Sequence, residues 1–266
     1  MPQFKNSLYR FLNDGLSFSS HEASQIKSLY FPLCGVEAQH LKSSITPSLS
    51  GDIKLHRDHF LTKPVSREEL RHPLRNFFIW VKDKGVVSIA EESLKGSSYI
   101  EAGPLWHELT RTYPEIGLSI EVINFIPVSG QNVELMRIRI KNISRKKCVF
   151  IPTASIPIFG RSLDNKHDHE HVTSLLHRIV QVDYGVIVEP AMVFNERGHK
   201  PNETAYFVYG FEGKGSKPTG SFPTVSSFYG DRGTADARFR GRFGAPGRSR
   251  FRHLSESSAA FGGAVS

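Results

Sequence analysis

Period-two alternation over two segments constrains this chain more than any other feature. Leu118, Ile120 and Val122 alternate with Ser119 and Glu121, and Met136, Ile138 and Ile140 alternate with Arg137 and Arg139. Successive side chains of a strand point to opposite faces, so each segment reads as a strand with one buried and one wet face. Pro127-Val128-Ser129-Gly130-Gln131-Asn132 supplies the connection between them, and Lys141-Asn142-Ile143-Ser144 ends the second.

The same texture runs through most of the chain. Residues 76–81, with Phe77, Phe78, Ile79 and Trp80 in succession, suit a strand buried on both faces. Asn13-Asp14-Gly15 between apolar flanks signals a short hairpin, because these residues tolerate positive φ. Further strands are expected at 148–151, 185–189 and 206–211. Short strands at this spacing point to an all-β, antiparallel sandwich with few short helices. One such helix is expected at 66–70, where Ser66 and Glu69 have capping-box spacing after Pro64. Val172, Leu175, Leu176 and Ile179 fit a helical face as well, but the β-rich run after Asp183-Tyr184-Gly185 favours a hairpin.

The chain carries 34 Lys and Arg against 26 Asp and Glu, a net charge of +8. Half of that excess lies in residues 231–266, which hold seven Arg and three acids but no Lys, Ile, Tyr or Trp. So few aliphatic side chains cannot offset the ordering entropy, and this basic tail is expected to be disordered. The remainder is only mildly basic. Two cysteines, Cys34 and Cys148, form neither a disulfide framework nor a zinc set and suit a reducing compartment. The first residues lack the apolar core of a secretory signal, and no apolar run is long enough to span a bilayer, so a cytoplasmic location is expected.

The densest polar stretch is Arg161-Ser162-Leu163-Asp164-Asn165-Lys166-His167-Asp168-His169-Glu170-His171. In an extended segment His167, His169 and His171 would stand about 7 Å apart, too wide for three mutual ligands, so no metal site is expected. A loop that hydrogen-bonds sugar hydroxyls or the sandwich fits better. Trp80, inside an apolar run, reads as core, whereas Trp106 serves equally as core or as a flat platform for a sugar ring. Asp52, His56 and Asp58 follow a turn-rich stretch and read as solvated or capping groups rather than an acid–base set. No glycine-rich phosphate loop opens a helix, and nothing in the sequence activates Cys34.

Several of these runs together resemble one family. Tyr30-Phe31-Pro32-Leu33, Gly51-Asp52-Ile53-Lys54 and Phe60-Leu61-Thr62-Lys63-Pro64-Val65-Ser66 are similar to the start of the glycoside hydrolase family 94 phosphorylases, and most similar to the 1,2-β-oligoglucan phosphorylases among them. The likeness continues through Glu101-Ala102-Gly103-Pro104-Leu105-Trp106-His107, Thr153-Ala154-Ser155-Ile156-Pro157-Ile158-Phe159-Gly160-Arg161-Ser162, Asp168-His169-Glu170-His171-Val172-Thr173-Ser174-Leu175-Leu176-His177-Arg178-Ile179 and Phe194-Asn195-Glu196-Arg197-Gly198-His199-Lys200, over residues 5 to 230. It implies an antiparallel β-supersandwich over residues 1–230, the N-terminal domain of enzymes that continue into an (α/α)6 barrel.

Such enzymes cleave a glucosidic bond with inorganic phosphate as co-substrate and invert the anomeric carbon to give α-glucose 1-phosphate. Phosphate is itself an anionic nucleophile, so only a general acid is needed on the leaving oxygen. In the family that acid belongs to the barrel, whose motifs do not occur in this sequence, so no catalytic residue and no other cofactor is assigned. The expected role is a carbohydrate-binding scaffold domain, truncated before its catalytic barrel and inactive alone, with residues 231–266 the product of a frameshift or a misjoined gene end. Its β-glucooligosaccharide contacts are expected at Arg161, Asp168, His171 and Trp106. The alternatives are a free-standing carbohydrate-binding module and, from the Arg/Phe/Gly tail, a nucleic-acid binder. A membrane partner is not expected.

Overall fold

A computed structural model describes residues 8–34, 40–67, 70, 73, 75–91, 94–166, 177–195, 197–213, 215–224, 227–228 and 263–265. In chain order its strands begin with β1 (Arg10–Phe11), β2 (Phe18–Ser20), β3 (Phe31–Cys34), β4 (Lys42–Ile45), β5 (Ile53–His56) and β6 (His59–Phe60). There follow β7 (Asn76–Val81), β8 (Gly85–Ser88), β9 (Ser97–Gly103), β10 (Trp106–Tyr113), β11 (Leu118–Phe125), β12 (Leu135–Asn142) and β13 (Phe150–Ser155). The last are β14 (His177–Val182), β15 (Gly185–Pro190), β16 (Met192–Asn195), β17 (Gly198–Pro201), β18 (Ala205–Tyr209) and β19 (Gly263–Val265).

Among the described residues all pairings are antiparallel, and they build five sheets. The largest runs β1-β2-β9-β10-β11-β12, the others β3-β4-β5-β6, β13-β7-β8, β14-β15-β18-β19 and β16-β17. The alternation read in the sequence sets the register of the large sheet: Ile120 stands opposite Ile140 and Val122 opposite Ile138, all on the buried face. β7 is buried on both faces, as its continuous apolar run requires. Phe77, Ile79 and Val81 enter the main core, while Phe78 and Trp80 pack on Phe228 and Phe222 behind it. Trp80 is thus a packing residue.

The expectation of a supersandwich with few short helices is corrected. Among the described residues there are several separate antiparallel sheets, a three-residue 3-10 turn at Asp164–Lys166, and α-helical backbone only at Arg67, Leu70, Ser227 and Phe228. At 66–70 the Leu70 N–H donates to the Ser66 carbonyl at 3.1 Å, an α-helical bond across four residues, and Arg67 and Leu70 have helical backbone, while Glu68 and Glu69 lie outside the described residues. The expected hairpin beyond residue 176 is formed by β14 and β15, while residues 172–176 lie outside the described set. So do residues 231–262 and 266 of the basic tail; Gly263–Val265, for which disorder was expected, pair with β18.

One buried polar node ties three sheets together. Glu134, 1% exposed just before β12, accepts hydrogen bonds from Ser43 of β4, from Arg75 just before β7 and from Asn124 of β11, the last at 3.0 Å. Burial pulls the Arg75 guanidinium down to about 9, with Asp52 acting in the opposite direction, so it stays cationic at neutral pH. His107 of β10 lies beside it against the ring of Phe31 at 5.3 Å. Burial, and then Arg75, lower its imidazole to about 3 and keep it neutral.

Candidate functional site

The residues after β13 leave their sheet and run along the open edge of the β5–β6 hairpin. Phe159 donates its N–H to Leu61 O at 2.6 Å, Phe60 and Arg161 exchange N–H···O bonds at 2.9 and 3.3 Å, and Leu163 donates to Arg57 O at 2.9 Å. This irregular pairing fixes Arg161 against a hairpin whose turn reads His56-Arg57-Asp58-His59. Gly160 makes it possible: its φ is 62°, and a β-carbon there would come within 3.3 Å of Pro190 and 3.5 Å of His177 and Tyr206. The β14–β15–β18 sheet can therefore close against the segment.

Polar and aromatic groups converge at this junction. The guanidinium of Arg161, a buried residue, lies over the Phe159 ring at 5.1 Å. His59 and Tyr206 share a hydrogen bond of 3.0 Å, and His56 meets His59 edge to face at 4.5 Å. Burial, followed by the neighbouring His56, lowers the His59 imidazole to about 4 against the opposing pull of Asp58. Burial, followed by Arg161, lowers His177 to about 4. The Tyr206 phenol is pushed up by burial and then by Asp58. Ion pairs of Asp58 with Lys200 at 2.9 Å and Arg57 with Asp164 at 2.8 Å brace the rim. Ser162 donates to Phe194 O and receives the Asn165 N–H at 3.3 Å, anchoring the 3-10 turn that follows.

At neutral pH this is a fixed cation beside two uncharged imidazoles and a protonated phenol. Neutral imidazole and phenol each donate and accept, and guanidinium donates in a plane, a set that matches the mixed demands of vicinal hydroxyls. Among the described residues no group of three His, Cys, Asp or Glu side chains gathers as a metal site.

Of the four expected sugar contacts, the structure places Arg161 in this junction. Asp168 and His171 lie outside the described residues, as do His167 and His169. Trp106 opens β10 on the six-stranded sheet, its indole folded over Gly103 of the neighbouring strand, where a β-carbon would meet its ring nitrogen at 2.6 Å. No described contact joins it to Arg161. Asp52, expected to be solvated or capping, is largely buried: it accepts from the Ser44 hydroxyl at 2.8 Å, pairs with Lys54 at 3.4 Å and acts on the buried Arg75. His59 and Tyr206 were missed because 147 positions separate them; His177 and Lys200 lay in the quoted runs without distinguishing signals.

No family model and no curated protein matches the chain. No helix among the described residues is long and apolar enough to cross a membrane.

Proposed function

We propose that this chain is the N-terminal β-domain of an inverting β-glucan phosphorylase and contributes carbohydrate contacts and scaffold rather than the reacting acid. The observation that carries this reading is the junction around Arg161, where the family-like run from Thr153 to Ser162 meets His59, His177 and Tyr206. The neutral imidazoles bracket hydroxyls without a charge penalty, and the guanidinium, held over Phe159, supplies orientation. In this reading the ligand is a β-1,2-glucooligosaccharide, inorganic phosphate is the co-substrate of the barrel's chemistry, and the compartment is the cytoplasm.

Calorimetry of the full chain with β-1,2-glucooligosaccharides tests it. Binding is expected, and Arg161→Ala should weaken it about tenfold or more, the loss of a charged hydrogen-bonding partner. Absence of heat with the unaltered chain, or unchanged affinity in the variant, refutes the assignment. Incubation with glucose 1-phosphate and a β-1,2-glucosyl acceptor is expected to release no phosphate, since the family's general acid sits in the barrel; turnover would overturn the division of labour.

A further inference from the structure

An open edge strand offers unpaired N–H and C=O groups to any other strand, so natural sheets guard their edges with charge, proline or brevity. Most edges here are guarded in that way. β12 exposes Arg137, Arg139 and Lys141, β3 and β13 contain Pro32 and Pro152, and β1 and β6 have two residues each.

Among the described edge strands β14 is the longest without such a guard, since β8 and β16, which also lack charge and proline, have four residues each. It has six residues, His177-Arg178-Ile179-Val180-Gln181-Val182, with no Pro, no Gly and one formal charge, and among the described strands it pairs only with β15. Ile179 and Val180, on opposite faces, are 43% and 45% exposed. A short run of high β-propensity and low charge, open on both faces, has the composition of a self-pairing segment. Its outer face adds a second observation: Val180 stands opposite Ile187, which stands opposite Phe207, so an apolar row crosses three strands and stops at the open edge.

We propose that β14 of a second copy of this chain pairs antiparallel with it about a two-fold axis normal to the sheet and centred on Val180. Such an axis keeps the two outer faces on the same side, so the row Phe207, Ile187, Val180 continues into its symmetry mate. The register sets Ile179 opposite Gln181 and Arg178 opposite Val182 of the second copy, so no like charges meet. The strand is thus complementary to itself. The same operation on β12 would bring Arg137, Arg139 and Lys141 against one another.

Sedimentation velocity on the full chain tests the pairing. A monomer–dimer equilibrium with a dissociation constant of about 1–100 µM is expected, as befits a small interface. Val180→Lys sets two ammonium groups across the axis and should weaken the dimer at least about tenfold, with an unchanged melting temperature because the position is exposed. On mild oxidation Val180→Cys should form a covalent dimer faster than Val128→Cys, placed on an exposed loop. A chain that stays monomeric across this range, a dimer indifferent to Val180→Lys, or equal cross-linking of the two cysteines overturns the proposal.

Discussion

Replacing Glu134 by Gln takes from Arg75 the carboxylate it bonds inside the core and leaves only the more distant influence of Asp52. Both residues are almost wholly buried, 1% and 4% exposed, and the carboxylate is the shared acceptor of Arg75, Ser43 and Asn124. Removing one partner of such a pair costs about 3–5 kcal/mol, because the remaining charge cannot regain water. A domain of ordinary stability holds about 5–15 kcal/mol in reserve, so the unfolded population should rise roughly a thousandfold without abolishing the fold. Urea unfolding at pH 7, followed by Trp80 and Trp106 fluorescence, reads this as a midpoint lowered by about 1.5–2 M for a slope near 2–3 kcal/mol/M. The double variant Arg75→Met with Glu134→Leu removes both charges and should recover most of the loss. If the single variant loses less than about 1 kcal/mol, or the double variant is as unstable as the two singles combined, the ion pair does not hold the sheets as argued.

Acid should weaken the fold through His107. Its imidazole titrates near 6.5 when unfolded and near 3 when folded, so the unfolded chain binds the extra proton between these values and stability falls as pH drops through that window. About 2 kcal/mol should be lost between pH 7 and pH 5, and His107→Gln should lose that part of the slope in urea titrations at the two pH values. Gly51→Ala places a β-carbon on the Ser44 carbonyl oxygen at a φ of 153° and should cost more than about 2 kcal/mol by thermal denaturation. Lys200→Met breaks only the half-exposed pair with Asp58 and should shift stability by less than about 0.5 kcal/mol in the same assay.

Legibility in the sequence followed burial chemistry. β11 and β12 were readable because apolar residues alone occupy most of their inward positions, and β7 because both its faces are apolar. β10 escaped notice for the opposite reason: its inward positions are His107, Leu109, Arg111 and Tyr113, so two polar side chains interrupt the hydrophobic alternation. Arg111 is held there by a bond of 3.2 Å to Ile89 O. β13 was placed too early, at 148–151, because Pro152, Thr153 and Ser155 do not look like strand; pairing with β7 through Ser155↔Asn76 carries it to residue 155. At the candidate site Arg161 stood out by charge, whereas His59 and Tyr206 did not, being unremarkable in their own surroundings.

The sequence by itself determined that this chain is built of antiparallel strands, since period two and turn residues act over a few positions and need no partner to be read. Only the tertiary structure decided that the strands divide into several sheets, that Glu134 draws donors from three of them, and that Gly160 lets two histidines, a tyrosine and an arginine meet. These outcomes depend on contacts between residues tens to more than a hundred positions apart, whose energies arise from burial and close approach rather than from local preference.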